Sequence, residues 1–334
     1  MSTSANGSNE LYEAVLHEKS KQSNQMVLNL IQQLGSAMVY PDCSNPETNR
    51  KLWDLYAKEW SPSIDWVQQM SSHLPAESDD SHASATQSAT AGEVEVKAES
   101  PGAAPAPAPA AAAAATAAAA AAAGAVDDGA HRHVGDEWSR PSDLHYVVQT
   151  YIRPFVSSGS VAAEIGCGGG RVATLVAPGV ASLRCFDISQ QMLARAKHAL
   201  AHHSNVTFDL VRESCELPAE CKAGGGVFDF VYSFDVFVHI DLHTTWRYFQ
   251  EIAACLKPGG RFFVSTATLS TPDGWARFAS QSQFTVGGFY FHSPDTVRML
   301  GTRCGLQVVQ ESEPDASNIY LNRDFLVVFE KGAE

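Results

Sequence analysis

Val161-Ala-Ala-Glu-Ile-Gly-Cys-Gly-Gly-Gly-Arg171 reads as a short apolar strand, a glycine-rich turn and a helix beginning around Gly170. A turn of this composition lets the backbone bend sharply and lets a ligand approach it closely. Two classes of nucleoside ligand use such a turn. A dinucleotide site of the GxGxxG kind, counted from Gly166, needs its third glycine where Arg171 stands. The other pattern, an acid followed by xGxGxG, is filled at all four places by Glu164, Gly166, Gly168 and Gly170.

About 20 residues on, Cys185-Phe-Asp-Ile-Ser189 ends a second apolar run with Asp187, a carboxylate placed to accept hydrogen bonds from both ribose hydroxyls. Alone it also reads as the cap of a helix carrying Met192, Leu193 and Ala196; with the glycine turn it reads as a nucleoside site. Outward from this pair, short apolar runs alternate with helical patterns from Trp138 to the end. The strands fall at Val161–Ile165, Ser182–Phe186, Val206–Leu210, Phe228–Phe234, Arg261–Thr266, Leu306–Gln310 and Phe325–Phe329. This predicts a three-layer α/β fold, a Rossmann-like seven-stranded sheet covered by helices. The stretch 311–323 leaves no room for a patterned helix, so the last two strands are expected as an antiparallel hairpin, with the last strand antiparallel in the sheet.

The first 75 residues carry helical spacing instead: Leu11, Val15, Met26, Val27, Leu30, Ile31 and Leu34 end at Gly35. A second helix follows Asn45-Pro46-Glu47 with the stripe Leu52, Trp53, Leu55, Tyr56 and Trp60. Residues 76–130 are rich in Ser, Ala, Pro and acid, pass into a nearly pure alanine run, and hold eight acids against one base, Lys97. That composition cannot bury a core and is expected to be a disordered insert. The organisation is therefore read as a helical cap segment (1–75), a low-complexity insert (76–130) and the α/β domain (131–334). The 334 residues carry a net charge of −14, from 23 Lys and Arg against 37 Asp and Glu, which argues against a polyanion partner. Seven cysteines without a CxxC pair fit neither a disulfide framework nor a zinc site. No apolar run of about 18 residues other than alanine occurs, and the N-terminus has no signal-like pattern. A cytoplasmic protein without membrane or nucleic-acid partners is the expectation, with an organelle address left open.

On the glycine turn and Asp187, the sequence resembles the class I S-adenosylmethionine-dependent methyltransferases over about Trp138 to Lys331. Phe228-Asp-Phe-Val-Tyr-Ser-Phe-Asp-Val-Phe-Val-His-Ile240 is similar to the fourth strand of that family and the segment after it. Leu256-Lys-Pro-Gly-Gly-Arg-Phe-Phe-Val-Ser265 is similar to the turn into the fifth strand. The resemblance implies S-adenosylmethionine as cofactor, with Glu164, Gly166, Cys167 and Gly168 near its methionine part and Asp187 at the ribose. It puts Ile188 and Met192 beside the adenine, Glu213 and Ser214 at the adenine edge with Glu216 as the alternative acid, and Ser233 and Phe234 along the methyl donor.

Methyl transfer needs alignment and exclusion of water, and a base only where the acceptor carries a proton to lose. The catalytic candidates are His239 and Asp235, with His243 as a further base. His239 can equally be structural, holding the loop before a helix capped by Asp241; on that capping His239 and His243 do not share a helix face, and no metal is expected. Trp138, Tyr146 or Tyr290 are candidates for an aromatic wall. The glycine-broken connections 273–281 and 286–294 read as a lid or as plain hydrophobic cover. Tyr320 and Arg323 stand near the same mouth; Arg323 can meet a substrate carboxylate or, as the simpler expectation, Asp324 on the surface. The reading is an enzyme that methylates a small molecule on O, N or S. A non-catalytic S-adenosylmethionine-binding subunit, a protein methyltransferase and a nicotinamide oxidoreductase are its alternatives.

Overall fold

The computed structural model describes residues 45–61, 133–212, 214–281 and 288–333. The expected helix around Leu11 to Leu34, the insert 76–130, Glu213 and part of the 286–294 connection lie outside the described residues. The seven strands are β1 (Val161–Ile165), β2 (Ser182–Asp187), β3 (Val206–Leu210), β4 (Phe228–Ser233), β5 (Leu256–Ala267), β6 (Leu306–Glu311) and β7 (Asp324–Lys331). They form one sheet in the order β3-β2-β1-β4-β5-β7-β6. β1 to β5 are parallel, and β7 runs antiparallel to both β5 and β6.

Strand side chains alternate between faces, and the sheet is apolar on both. Ala162, Leu183, Cys185, Phe230, Tyr232 and Phe263 belong to one buried cluster. Their neighbours Ala163, Phe186, Val231, Phe262 and Val264 belong to another. The first is covered by α2 (Pro141–Tyr151) through Leu144, Val147 and Tyr151, and by α4 (Gln190–Ala199) through Leu193 and Ala196. The second is covered by α5 (Leu242–Cys255) through Phe249 and Ile252, and by α7 (Pro294–Arg303) through Val297 and Leu300. The result is the three-layer, Rossmann-like α/β fold with an antiparallel last strand. The remaining helices are α1 (Asn45–Glu59), α3 (Ala173–Val176), α6 (Pro272–Ser280) and α8 (Ile319–Arg323).

Two local features differ from expectation. After the glycine turn the chain winds into α3 only at Ala173, four residues long. Between β6 and β7 a five-residue helix, α8, does fit, because Asn318 caps it by accepting from the backbone N–H groups of Tyr320 and Leu321. No helix among the described residues is long and apolar enough to cross a membrane. β1 pairs with β2 on one side and β4 on the other, so the strand order reverses at β1 and opens a crevice at the carboxyl ends of these strands.

Candidate active site

The glycine turn fills that crevice. The N–H groups of Gly166 and Cys167 both donate to the Phe186 carbonyl on β2, at 2.7 and 3.0 Å, which folds the turn back over the neighbouring strand. Gly166 has φ of 74°. A Cβ there would also stand 2.5 and 2.7 Å from the two Val236 methyls, so conformation and space both demand glycine. Gly168 has φ of 51°, and a Cβ there would meet nothing within 4 Å, because the position faces open space.

The Gly168 N–H donates to Asp187 Oδ2 and the Ser189 N–H to Asp187 Oδ1, each at 2.8 Å. The carboxylate is thereby locked in orientation, and each oxygen keeps acceptor capacity. Burial, against those backbone donors, pushes the Asp187 carboxyl up to about 6. Glu164 is buried on β1, accepts the Tyr232 hydroxyl at 3.0 Å, and is held well above the ordinary carboxylate value by burial.

A continuous cavity, enclosing ≈ 1020 Å³ of empty space with open solvent at its mouth included, runs along these groups. One end is walled by Asp187, Ile188, Met192, Val211, Thr244 and Tyr248, the middle by Glu164 and the glycine turn, and the other end by Phe234, Asp235, His239, Asn49, Trp53 and Trp138. α1 roofs it. Asn45, Asn49 and Trp53 recur every four residues, on one face of α1, and line the cavity.

Three anchors hold this roof. Asp54 Oδ1 accepts from Ser189 Oγ at 2.7 Å and from the Gln191 N–H at 3.2 Å, at the amino end of α4. Arg195 donates to the Ala57 and Trp60 carbonyls at 2.6 and 2.7 Å, closing the carboxyl end of α1. Buried Glu137 gathers the Tyr56 hydroxyl, the Trp60 indole N–H and the Gly135 N–H. Arg171 spans from the glycine turn to Asp136, Ser139 and Tyr320 and fixes the 133–139 segment.

At the far end, Asp235 has φ of 59°, a left-handed conformation uncommon outside glycine, and its N–H donates to Ser265 Oγ at 2.8 Å. Its carboxylate receives Arg323 at 2.6 Å, and the same guanidinium binds Asp324. Burial works to raise the Asp235 carboxyl; Arg323 overrides it and leaves the group below its ordinary value.

His239 follows in a short 3-10 turn, with Asn49 Nδ2 donating to its carbonyl at 2.9 Å. Its Nδ1 faces the Gly288 carbonyl at 3.4 Å, and its ring meets Trp53 and Phe289 edge-on at 5.0 and 5.3 Å. Burial lowers the imidazole to about 4 against the pull of Asp235. It is neutral near pH 7, and the Gly288 contact assigns the proton to Nδ1, which leaves Nε2 as an acceptor.

The cavity thus brings together Glu164, Gly166, Cys167, Gly168, Asp187, Ile188, Met192, Phe234, Asp235, His239 and Trp138 from the sequence reading. Ser233 is placed behind the wall, its Oγ donating to the Ile165 carbonyl at 2.8 Å. Ser214 is exposed beside Glu216, and Val211 walls the cavity at that end. His243 is exposed in the first turn of α5, which Asp241 caps. Among the described residues no group of three His, Cys, Asp or Glu could hold a metal ion.

Tyr146 is 45 % exposed, and Tyr290 accepts from Asn45. In the two connections, Trp275 and Phe278 are exposed and Phe289 is buried. Arg323 pairs with Asp324 as expected, but inside the protein and shared with Asp235, because α8 ends at Arg323 and β7 begins at Asp324, opposite Ala267 at the carboxyl end of β5. Asn49 was missed; its four-residue spacing from Trp53 was the available signal. Val236, which enforces Gly166, had none.

A family model described as a methyltransferase domain matches residues 163–264. No curated protein matches the chain. Among solved structures it is similar to an N-methyltransferase NodS from Bradyrhizobium japonicum WM9 (17% identity, TM-score 0.45, 58% of this chain and 98% of that one). It is also similar to a magnesium protoporphyrin IX methyltransferase from Synechocystis PCC 6803 with bound S-adenosylmethionine (17%, 0.42, 57% and 79%). A third is a putative sarcosine dimethylglycine methyltransferase from Galdieria sulphuraria (18%, 0.44, 58% and 85%). Residues 163–264, which hold the reversed strand order and the acid-xGxGxG turn, are thus the part of the chain that matches a methyltransferase domain.

Proposed function

We propose that the protein transfers a methyl group from S-adenosylmethionine to a small-molecule acceptor, with 131–334 as the catalytic domain and α1, from the 1–75 segment, as its roof. The observation that carries this reading is the unbroken cavity from Asp187 to His239. Its residues fit the cofactor. The open space at Gly168 admits a ligand against the backbone, and the oriented Asp187 oxygens can each accept a ribose hydroxyl. Ile188, Met192 and Val211 give the adenine an apolar slot, and Glu164 lies toward the methionine part. A roofed cavity takes a small molecule more readily than a folded protein surface.

When bound, S-adenosylmethionine supplies an electrophilic methyl group on a sulfonium. The chain's part is to align and to keep water out. Phe234 walls the cavity, and Trp53 and Trp138 close it from above. His239, neutral, presents Nε2 to an N–H or O–H of the acceptor and turns the nucleophile's lone pair toward the methyl position. An imidazole at about 4 orients better than it takes up a full proton. Asp235, committed to Arg323, stays ionised and favours cationic charge near the transfer site.

Calorimetry with S-adenosylmethionine and S-adenosylhomocysteine on the full chain tests the binding half, with micromolar-range binding of both expected. Release of S-adenosylhomocysteine in a mixed-metabolite assay tests the catalytic half. Binding without turnover across such a mixture would assign the protein to the cofactor-binding subunits; no heat with either nucleoside would remove the reading.

A further inference from the structure

Beyond His239, behind the residues that line the cavity, two arginines share one ring. The Arg323 guanidinium lies 5.0 Å from the Phe289 ring centroid and that of Arg277, from α6, lies 3.8 Å from it. Phe289 in turn meets His239, so Arg277 stands one ring away from the imidazole that lines the cavity. The two differ in how they are used. Arg323 binds Asp235 and Asp324, the acids that also face Arg277, and is neutralised by them. The Arg277 guanidinium makes no hydrogen bond or ion pair among the described residues, and lies against Phe289. Burial and the neighbouring Arg323 lower it to about 10, so it is charged at neutral pH. A guanidinium carbon 3.8 Å from a ring centroid, with its N–H fork unengaged among the described residues, can offer that fork to the two oxygens of a carboxylate.

We propose that Arg277 selects the acceptor: it takes a carboxylate on the acceptor in a forked contact, with Phe289 as the platform, and this sets the nucleophilic atom at His239. The proposal rests on the methyl-transfer reading and adds the substrate class, a small molecule bearing a carboxylate. Arg277 is a specificity residue; it takes no part in bond making.

The test compares phenylacetate with phenylacetamide, which keeps the size and ring and removes the charge, by calorimetry on the full chain saturated with S-adenosylhomocysteine. The acid is expected to bind at least about tenfold more tightly than the amide, and Arg277→Gln to abolish that preference with the melting temperature retained. Equal affinities, no binding of either probe, or a preference that survives Arg277→Gln would each overturn the proposal. Should Arg277→Gln not fold, Arg277→Lys keeps a charge and removes the fork, and an undiminished preference there would also overturn it. S-adenosylhomocysteine binding is measured first: its absence removes the methyl-transfer reading, while the acid and amide titrations on nucleoside-free protein still judge Arg277.

Discussion

The two ends of the cavity are built in different ways. The nucleoside end is made mostly of backbone: turn N–H groups on the Phe186 carbonyl, and the Gly168 and Ser189 N–H groups on Asp187, all inside 161–192. The other end, which we propose takes the acceptor, is made of side chains from α1, the 133–139 segment and the turn after β4, with Phe289 packed behind His239. Backbone geometry tolerates few residue types and is brittle to substitution; converging side chains are individually replaceable and tune what is recognised.

The largest effect is therefore expected at Gly166. Gly166→Ala would force a Cβ into the Val236 methyls in a left-handed conformation. Left-handed strain of about 1–2 kcal/mol adds to overpacking of about 1–3 kcal/mol. Nucleoside affinity should fall by at least about a hundredfold, on the order of 2.7 kcal/mol, with a lowered melting temperature. Adding Val236→Ala should recover the overpacking share only. Gly168→Ala meets no protein atom, so its melting temperature should register the strain alone, while its Cβ enters the space proposed for the nucleoside and lowers affinity as well. Equal losses of melting temperature at Gly166 and Gly168 would contradict a turn sized by Val236.

Next comes Asp187. Asp187→Ala should weaken nucleoside binding at least about tenfold, about 1.4 kcal/mol. The wild type also predicts a pH profile. Ribose hydroxyls donate to the ionised carboxylate, so affinity should fall as pH drops through about 6, by about tenfold near pH 5. Asp187→Asn should flatten this. The stability of the free protein should follow the opposite trend. With its folded pKa raised from 3.8 to about 6, Asp187 contributes stability that is full below the lower value and lost as pH rises through the upper one. Titration of affinity and of melting temperature over this window checks both signs.

A smaller effect is expected at the other end. His239→Ala should lower turnover by roughly tenfold to a hundredfold, since orientation by one hydrogen bond is less than full general-base catalysis. It should leave S-adenosylhomocysteine affinity within about twofold. A matching loss of nucleoside affinity would mean that His239 serves the nucleoside end.

The same contrast explains what could be read from the sequence. Strand–turn–strand geometry is local: Glu164, the glycines and Asp187 lie close along the chain, so their spacing carried the fold and brought these residues together along one cavity. Arg323 shows the limit. Its neighbour Asp324 was visible as a partner, but Asp235 reaches it across 88 positions, by β7 inserting beside β5. Ser233 shows a second limit. It stands at the right strand end, yet its side-chain face is set by the pleat, which turns its hydroxyl to the Ile165 carbonyl. Likewise Asn49 and Trp53 line the cavity only because Glu137, Arg195 and Ser189 lock α1 in place.

The smallest effect is expected from removing 76–130 and joining the flanks with a short linker. The roof's position is fixed on both sides of this stretch by one carboxylate, since Glu137 takes Tyr56 and Trp60 from before it and Gly135 from after it. No contact in that arrangement requires the intervening length. A shorter connection loses less entropy on closure, and the logarithmic dependence makes the gain about 1 kcal/mol. The deletion should therefore raise the melting temperature slightly and keep turnover and nucleoside affinity within about twofold. Loss of turnover with nucleoside binding kept would place the insert at the acceptor end; loss of both would mean that it holds α1 down, against the anchors at Glu137, Arg195 and Asp54.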